Sequence, residues 1–521
     1  MTHSIRLSRW LTVLAGLTLS ACSRHWPAYR HDAMRTGGQL HSSALSNPGR
    51  VSSLHVQWTF NEPHGGVFRG SPVVQGNRVY AGSSAGFFYA LNANTGAVVW
   101  QYPAGATTTL TSTFTCNPSS AGIASSATVT KIGNRRVVVF GAPDRSFGGG
   151  LGDGRLFALD AATGAEVWKS ATPVARLTGA LHEQIGYSSP LVFEDRVYIG
   201  IGDHCDNPIQ KGRVVAVILN TGTIDPAFTY CSTGTCADST RGGGVWSSVA
   251  GFADGLYVTT GNTKSGGATE PSPNHGLSLL RLNHRSGAID WKFQPVPWVL
   301  DQDPDWSSGA NVMLTSCGPL IASTQKDGWT HALNTSSGSK LWSFPPNATP
   351  FTTADGTFHG DTRFMKGGAV WGDVYVAMNG GLNLTMSGVT GGYGRLHAFN
   401  VCAPAGNRLR WLIDVPNSAS FGTTYRLGPP TITNGMVFVG TVEGHLVVIA
   451  DPAIHPAAGS RCANPDVTVA NCVSSGYQLV PQPAVLANVA LSGTMVYNEP
   501  ALAGGRVYIS TGAGKVYMLQ P

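Results

Sequence analysis

Short stretches in the middle of the chain combine residue types from which a cofactor site can be built. In Arg241-Gly-Gly-Gly-Val-Trp-Ser-Ser248, the glycines allow the backbone to approach a flat ligand and Trp246 can offer a ring face. Asn262 ends an apolar run, three aspartates (Asp301, Asp303 and Asp305) lie close together, and Lys326 precedes another apolar run. An aromatic plane, a carboxamide, clustered carboxylates and a cation are suitable groups for binding a cofactor and a metal ion.

Each of these residues also fits a purely structural role. Trp246 could belong to the core, Asn262 could stabilise a turn, and Lys326 could be a surface charge, while the aspartates could lie in a solvated loop. Taken singly, the structural role is favoured for each. The functional hypothesis therefore depends on a fold that brings these residues together.

The chain is built from copies of one repeat, seen most clearly in Gly154-Arg-Leu-Phe-Ala-Leu-Asp-Ala-Ala-Thr-Gly-Ala-Glu-Val-Trp168. The apolar run 156–159 predicts a buried strand, the next five residues supply turn chemistry, and Val167-Trp168 begins a second strand, so the repeat predicts a hairpin. The same spacing recurs at 86–100, 279–291 and 329–342, with degenerate copies at 212–226 and 394–411 and partial copies at 444–449 and 514–519.

A second hairpin signal precedes each copy, as in the stretches that start at Ser71-Pro72, Ser189-Pro190 and Glu499-Pro500. The repeating unit therefore has four strands, and four-stranded units at a period of roughly 40 to 50 residues are typical of propeller blades. We predict an all-β chain with an eight-bladed β-propeller over residues 51–521. The predicted blade centres are Tyr80, Val139, Tyr198, Tyr257, Ile321, Tyr375, Val437 and Tyr508.

The two ends of the repeat region complement each other. The last blade lacks its outer strand, whereas Val56–Phe60 near the start is a strand, containing Trp58, that has no blade of its own. Pairing the two would close the ring and remove the free sheet edges, so we predict that they pair. In such a ring the inner strands converge on a central channel, where loops from different blades can meet and form a site.

Residues 1–21 have the pattern of a bacterial lipoprotein signal peptide. Arg6 and Arg9 precede an apolar run, Trp10–Leu19, that is too short to span a bilayer, and small residues lead to Cys22. Cleavage and lipidation at Cys22 would anchor an exported protein in the periplasm, on the outer membrane rather than the inner one. Residues 22–50 would then be an N-terminal segment. The alternative is a buried first helix with a chance cysteine.

The composition agrees with an exported, turn-rich β protein. Charged residues make up only 12% of the chain and Gly numbers 66. The net charge of +6 is spread without a block of Lys or Arg, so no nucleic-acid partner is indicated. A stretch at about 454–491 lacks the blade pattern and predicts an inserted loop, which could cover the propeller mouth or decorate the surface.

The cysteines predict disulfides rather than a haem. The chain has nine, so eight remain beside Cys22, and an even number in an exported protein indicates disulfide bonds. Cys231–Cys236 and Cys462–Cys472 are plausible short-range pairs, and spacing leaves the others open. No Cys-x-x-Cys-His motif is present, so no attached haem is expected.

Several pieces, taken in order, resemble the pyrroloquinoline quinone (PQQ) dependent dehydrogenases, and most of all the propeller of polyvinyl-alcohol dehydrogenase. The resemblance covers about residues 56–521. Its most specific pieces are Ala175-Arg-Leu-Thr-Gly-Ala180, Gly244-Val-Trp-Ser-Ser248, Leu256-Tyr-Val-Thr-Thr-Gly-Asn262, Asp303-Pro-Asp-Trp-Ser-Ser308, Gln325-Lys-Asp-Gly328 and Gly367-Gly-Ala-Val-Trp-Gly372.

The resemblance implies PQQ and Ca²⁺ as cofactors and assigns roles to individual residues. Trp246, beside Gly244, would stack on the quinone, and Lys326 would bond its reactive oxygen. Asp303 or Asp305 would be the general base, and both would lie beside the metal. Asn262 and Asp206 would be further calcium ligands. Arg176, Thr178 and Trp371 would complete the cofactor site.

The activity implied is oxidation of a small or polymeric alcohol, with electrons passed to an external acceptor such as a cytochrome c. Such a reaction needs a base for the hydroxyl proton and an electrophile for the hydride. A hypothesis of another class is that the chain is a non-catalytic propeller lipoprotein, acting as a scaffold in outer-membrane protein assembly. The ordered set of Trp246, Asn262, Asp303, Asp305 and Lys326 favours the enzyme, since a scaffold has no evident need for it.

Overall fold

The computed structural model describes residues 24–39, 42, 44–113, 120–146, 151–176, 183–202, 209–234, 236, 241–263, 275–295, 305–306, 308–326, 329–344, 367–380, 394–415, 427–462, 469–475, 478–495 and 498–521. The proposed signal peptide and Cys22 lie outside them. Helical structure within the described residues is confined to an α-helix at Pro48–Val51 and 3-10 turns at Ala405–Asn407 and Val469–Asn471. None of the described helices has the length and apolar character needed to cross a membrane.

The described residues form eight four-stranded antiparallel blades, which confirms the predicted eight-bladed β-propeller. Each predicted blade centre lies in the second strand of its blade. From the inner to the outer strand, the blades are Val73–Gln75, Arg78–Gly82, Phe88–Asn92 and Val98–Tyr102 (one); Thr128–Ile132, Arg135–Asp144, Asp153–Asp160 and Glu166–Lys169 (two); Leu191–Phe193, Arg196–Ile201, Arg213–Ile218 and Tyr230–Cys231 (three); Ala250–Phe252, Gly255–Thr259, Leu279–Asn283 and Ile289–Phe293 (four); Asn311–Thr315, Gly318–Thr324, Thr330–Asn334 and Lys340–Phe344 (five); Ala369–Trp371, Val374–Gly380, Gly394–Asn400 and Leu409–Asp414 (six); Thr431–Thr433, Met436–Gly440, His445–Ala450 and Ala484–Ala490 (seven); and Ala501–Ala503, Arg506–Thr511, Lys515–Gln520 and His55–Asn61 (eight).

The two ends of the propeller are defined by its strand connections. At the lower end, each inner strand turns into the second strand of the same blade and each third strand turns into the outer strand. At the upper end, each second strand leads to the third, and each outer strand leads to the inner strand of the next blade. Every loop at the upper end therefore lies near the mouth of the same channel.

The ring closes as the sequence predicted. His55–Asn61, which contains Trp58, pairs antiparallel with Lys515–Gln520 and becomes the outer strand of blade eight. One blade thus takes strands from both ends of the chain. Without this pairing, the third strand of blade eight, Lys515–Gln520, would be an edge strand that could pair with another molecule.

The repeated Thr-Gly and Trp positions hold neighbouring blades together. Trp100 at the outer strand of blade one donates its indole N–H to the Ala161 carbonyl of blade two, at 3.3 Å. Its ring lies against Gly164, where a Cβ atom would come within 2.7 Å of the indole. Gly164 also has a φ of 76°, so both the turn and the packing require glycine. The same contact joins Trp58 to Gly96, Trp168 to Gly222, and Trp291 to Gly338.

A relay of hydrogen bonds joins the starts of the inner strands. The backbone N–H of Ser71 donates to the Ser126 hydroxyl, that of Ser126 to Ser189, and that of Ser189 to Ser248, at 2.8 to 3.0 Å. The N–H of Glu499 in blade eight donates to the Ser71 hydroxyl at 2.9 Å. Glutamate therefore occupies, in blade eight, the position that serine holds in blades one to four.

Residues 24–39, which we call the central segment, run along the inner strands and contact all eight blades. His25–Trp26 pairs with the inner strand of blade one, and Gly38–Gln39 runs parallel to that of blade seven. Between them, carbonyls of the segment accept N–H groups from the inner strands of blades two, four, five, six and seven. These bonds are Val129 to Pro27, Gly251 to Ala33, Val312 to Met34, Val370 to Thr36 and Ile432 to Gly37, at 2.7 to 3.0 Å.

Two buried arginines of the central segment complete its contacts. Arg35 donates to the carbonyls of Ser189 and Pro190 in blade three and of Val249 in blade four. Arg30 pairs with the Glu499 carboxylate of blade eight at 2.8 Å, and both side chains are at most 1% exposed. Arg30 also donates to the carbonyls of Gly368 and Pro430. The central segment is therefore a hub held by charge-assisted hydrogen bonds.

The disulfides and the inserted loop differ in part from prediction. Cys231–Cys236 and Cys462–Cys472 are bonded as expected, and Cys317–Cys402 links blades five and six. The insertion ends before Ala484, because Ala484–Ala490 pairs with the third strand of blade seven as its outer strand. The predicted limit at 491 is therefore wrong. Within the insertion, the hairpin Gly459–Cys462 and Leu479–Gln482 packs on the outer strand of blade six, where Arg461 pairs with Asp414 at 2.6 Å.

Candidate functional site

Loops at the upper end of blades four and five carry the predicted site residues. Trp246 lies in the connection that leads into the inner strand of blade four, and Asn262 follows the second strand of that blade. Asp305 lies in the connection that leads into blade five, and Lys326 follows its second strand. The same two loop types from adjacent blades therefore place these four residues at one end of the channel.

Asp305 is the centre of this cluster. Its carboxylate Oδ2 accepts the indole N–H of Trp246 at 2.8 Å, and its Oδ1 lies 2.5 Å from Nζ of Lys326. The backbone N–H of Lys326 also donates to the Asp305 carbonyl at 3.0 Å. The carboxylate is only 2% exposed, so partners such as Trp246 and Lys326 replace the water that a charged group would otherwise need. Two blades thus share one buried carboxylate.

Lys326 and Trp246 also interact with each other. Nζ of Lys326 lies 5.6 Å from the centre of the Trp246 ring, within the range of a cation–π contact. The indole is half-buried. Trp246, Asp305 and Lys326 therefore contact one another in pairs, and the aromatic ring has a carboxylate and a cation beside it.

Glycines bring Asn262 and Trp246 together. The backbone N–H of Gly261 donates to the Gly244 carbonyl at 2.7 Å, and that of Gly243 donates to the Asn262 carbonyl at 2.6 Å. A Cβ atom on Gly261 would lie 3.3 Å from the Trp246 ring and 3.5 Å from Oδ2 of Asp305. Asn262 therefore follows directly after a residue that touches both groups, and the lack of a side chain at Gly261 leaves space beside the carboxylate.

A buried aromatic group supports the loop of Asp305. Trp306 forms a β-bridge with Gln325, and its ring packs edge-on against His331, whose ring also stacks on Trp329. Burial lowers the pKa of His331 to about 3, so the imidazole is neutral at physiological pH. The group of Trp306, His331 and Trp329 therefore adds no charge near the Asp305–Lys326 pair.

Two of the predicted residues do not join the cluster. Arg176 is exposed, and its backbone exchanges hydrogen bonds with Glu183. Trp371 is the last residue of the inner strand of blade six and packs at the lower end against Gly435 of blade seven. It therefore lies at the other end of its blade from Trp246, which corrects its predicted place in the cofactor site. Asp303, Thr178 and Asp206 lie outside the described residues.

The predicted calcium ligands are present only in part among the described residues. Asn262 and Asp305 provide a carboxamide and a carboxylate oxygen, whereas no group of three His, Cys, Asp or Glu side chains converges in the described part of the chain. Calcium prefers six to eight oxygen ligands, including carbonyls, waters and ligand oxygens. These two side chains could therefore supply a part of such a shell.

The sequence did not predict that the central segment would lie inside the ring and bond the blades. Its residues have no blade pattern, and nothing local marks Arg30 or Arg35 as buried. One signal was available: three blade starts read Ser71-Pro, Ser189-Pro and Glu499-Pro, so an acidic residue replaces serine in one copy. A carboxylate at a position that faces the channel requires a buried cation as its partner.

Comparison with known proteins gives the family. The PQQ β-propeller domain model of glucose/ethanol/alcohol dehydrogenases matches residues 26–363, which is more than half of the chain and includes most of the central segment. The chain belongs to this family, as the sequence pieces suggested.

The curated relatives share low sequence identity with this chain. The quinohemoprotein alcohol dehydrogenase of Comamonas testosteroni is 25% identical over 303 residues, which cover 53% of this chain and 38% of that protein. The polyvinylalcohol dehydrogenase of Sphingopyxis sp. (strain 113P3) is 23% identical over 355 residues, which cover 59% of this chain and 49% of that protein. The chain thus spans less than half the length of both relatives.

Solved structures agree on the fold. The Comamonas testosteroni enzyme superposes with a TM-score of 0.65 at 18% identity, over 96% of this chain and 81% of that one. BamB from Moraxella catarrhalis superposes with a TM-score of 0.52 at 14% identity, over 90% of this chain and all of that one. At these identities both comparisons support the propeller architecture alone.

Proposed function

We propose that this chain is a quinoprotein that oxidises an alcohol with PQQ and Ca²⁺ and passes the electrons to an external acceptor such as a cytochrome c. The observation that carries the proposal is the buried Asp305 carboxylate, held between Trp246 of blade four and Lys326 of blade five. A base, a cation and an aromatic plane in contact are the groups that this oxidation needs. The substrate class is a small or polymeric alcohol.

The residues present fit both cofactors. The half-buried Trp246 ring would offer a face for a planar quinone, and Lys326, whose Nζ lies 5.6 Å from the ring centre, would be a hydrogen-bond donor for a quinone oxygen. Asn262 and Asp305 would contribute oxygens to Ca²⁺, with Asp303 a further candidate ligand. When bound, PQQ would supply the acceptor for the electrons and hydrogen that leave the alcohol carbon.

The chain's own residues would handle the proton and the orientation of the substrate. Asp305 would accept the hydroxyl proton, because its buried carboxylate lies at the centre of the cluster, in contact with Trp246 and Lys326. The positive charge of Lys326, at 2.5 Å, stabilises the negative charge of the carboxylate. The Trp246 N–H bond to Oδ2 restrains the orientation of the carboxyl group, so its oxygens would face the substrate in one direction.

Calorimetry with PQQ in the presence of Ca²⁺ tests the proposal. We expect heat of binding from the wild type, and weaker binding in Trp246→Leu by about 0.5 to 1.5 kcal/mol of stacking energy beyond the lost contact area. Trp371→Leu is the matched control, because that tryptophan lies at the other end of its blade; it should bind PQQ like the wild type. Equal loss in both variants would contradict the position given to the quinone.

Absence of PQQ binding to the wild type would reject the enzyme and leave the second hypothesis, a scaffold in outer-membrane protein assembly. The likeness to BamB supports that hypothesis at the level of fold only. It offers no reason for a buried carboxylate shared by Trp246 and Lys326, so the enzyme is the better-supported proposal.

We further propose that the protein is exported to the periplasm and anchored by a lipid on Cys22, on the outer rather than the inner membrane. The three disulfides among the described residues support export, because such bonds persist in oxidising compartments. Cys22→Ser should remove the lipid and shift the protein out of the membrane fraction, as measured by fractionation and mass spectrometry. Unchanged fractionation together with an unmodified residue 22 in the wild type would argue against the anchor.

A further inference from the structure

A group of basic residues lies at the lower end of blades one and two, around the point where the described chain begins. Arg24 is exposed and directly precedes the strand His25–Trp26. His25 pairs with Gln75, and its Nδ1 accepts the N–H of Gly76 in the lower turn of blade one at 3.0 Å. Arg78 follows in the same turn. The chain therefore enters the propeller beside this turn.

Blade two supplies the rest of the group. Lys131 and Arg136 are cross-strand partners at the lower turn of that blade, and both are exposed. Burial, together with the positive charges of Arg136 and Arg24, lowers the pKa of His25. We call Arg24, Arg78, Lys131 and Arg136 the basic patch.

The charge of the basic patch is not balanced locally. Among the described residues, no carboxylate lies within ion-pair distance of its four members, whereas the neighbouring Arg135 pairs with Asp160 at 2.7 Å. The lower end of blades three and four is different, because its arginines are paired. These pairs are Arg196 with Asp195 and Asp225, Arg281 with Asp254 and Asp290, and Arg285 with Glu194 and Asp195.

The proposed lipid anchor would lie close to this patch. Cys22 is two residues before Arg24, and two extended residues span at most about 7 Å. A lipid on Cys22 would thus hold the lower end of blades one and two at the level of the lipid headgroups. One acyl anchor combined with a cluster of basic residues is an effective arrangement for binding a bilayer that contains anionic lipid.

We propose that the basic patch is a docking surface for anionic phospholipid headgroups, which sets the lower end of the propeller on the membrane and turns the Asp305 site away from it. The contribution of the lipid rests on the anchor of the proposed function, whereas the patch and the orientation that it gives can be tested without the lipid. The upper channel mouth would then remain open to soluble substrates and electron acceptors.

Vesicle binding by an unlipidated chain tests the patch. Residues 23–521 contain every described residue and all of the contacts given above, so they keep the whole propeller. This chain should co-sediment with vesicles of phosphatidylcholine and phosphatidylglycerol but not with phosphatidylcholine alone, and added salt should release it. Because each basic residue near the surface contributes about fivefold to the partition, Arg78→Gln, Lys131→Gln and Arg136→Gln together should weaken binding about a hundredfold.

The matched control removes the same charge elsewhere. Lys169, Lys292 and Lys515 lie on strands away from the lower end of blades one and two, and their triple change to Gln should leave vesicle binding near that of the wild type. Equal loss in both triple variants would show a dependence on net charge only and overturn the proposal. Binding that does not depend on phosphatidylglycerol would overturn it as well.

A fluorescent label reports the orientation. Bimane on Asn134→Cys, in the lower turn of blade two, should be quenched by vesicles that contain a quencher-bearing phosphatidylglycerol. Bimane on Thr107→Cys, in the exposed upper loop after blade one, should not be quenched. Quenching at Thr107 alone would overturn the orientation. These results do not depend on Cys22, so failure of the lipid anchor, seen by fractionation, remains a separate outcome.

Discussion

Asp305→Asn should lower the rate of alcohol oxidation by about two to four orders of magnitude, the usual contribution of general acid–base catalysis. The substitution keeps the size of the side chain and an oxygen that can accept the Trp246 N–H, but it removes the group that takes the hydroxyl proton. The measurement is dye-linked alcohol oxidation by protein loaded with PQQ and Ca²⁺, with kcat and KM determined separately. Because the loss concerns a proton transfer, it should appear in kcat.

Two comparisons make this prediction specific. Asp290→Asn, in the outer strand of blade four, removes a carboxylate that pairs with Arg281 far from the site and should leave kcat unchanged. Calorimetry should show that Asp305→Asn still binds PQQ, which separates loss of the base from loss of the cofactor. An active Asp305→Asn together with an inactive Asp303→Asn would transfer the role of base to Asp303.

The blades could be predicted because their signals are local. The turn glycine and the tryptophan that follows it recur within a few residues of each other, and each has a fixed partner in the adjoining blade, as Trp100 and Gly164 show. Ring closure followed from the same rule, since Trp58 needed a blade and blade eight needed a strand. Repeating local contacts of this kind leave a period in the sequence.

The core of the site could also be placed, although its residues are distant in sequence. Trp246 and Asp305 are 59 residues apart, and each precedes an inner strand of successive blades. Propeller geometry brings equivalent loops of adjacent blades together, so their approach followed from the blade assignment. Trp371 was misplaced because the motif around it did not show that the tryptophan would end the strand, at the lower turn, rather than precede it.

The central segment could not be predicted from any period. Arg30 and Glu499 are separated by 469 positions, and the bonds of the segment use its backbone carbonyls, which any sequence has. The segment nevertheless bears on the site: Arg35 holds the Val249 carbonyl at 2.9 Å, three residues after Trp246. The hub and the site therefore share the connection that leads into blade four.

Glu499→Gln should destabilise the protein by about 3 to 5 kcal/mol, the usual cost of breaking a buried ion pair by removing one partner. The carboxylate is fully buried and accepts both the backbone N–H and the guanidinium of Arg30, so glutamine leaves a buried cation without its counter-charge. Because Arg30 also donates to carbonyls of blades six and seven, loss of its counter-charge should weaken contacts in several blades. Thermal unfolding and urea unfolding followed by circular dichroism would measure the loss.

A double-mutant cycle with Arg30→Met separates the pair from its surroundings. If the pair acts as a unit, Arg30→Met with Glu499→Gln should cost less than the sum of the two single changes, because neither charge is then left alone. Arg285→Gln provides the control, since its ion pairs with Glu194 and Asp195 are exposed and should contribute at most about 1 kcal/mol. A loss for Glu499→Gln no larger than that of Arg285→Gln would show that the carbonyls of Gly368 and Pro430 satisfy Arg30 by themselves, and that the hub is held by its backbone bonds rather than by charge.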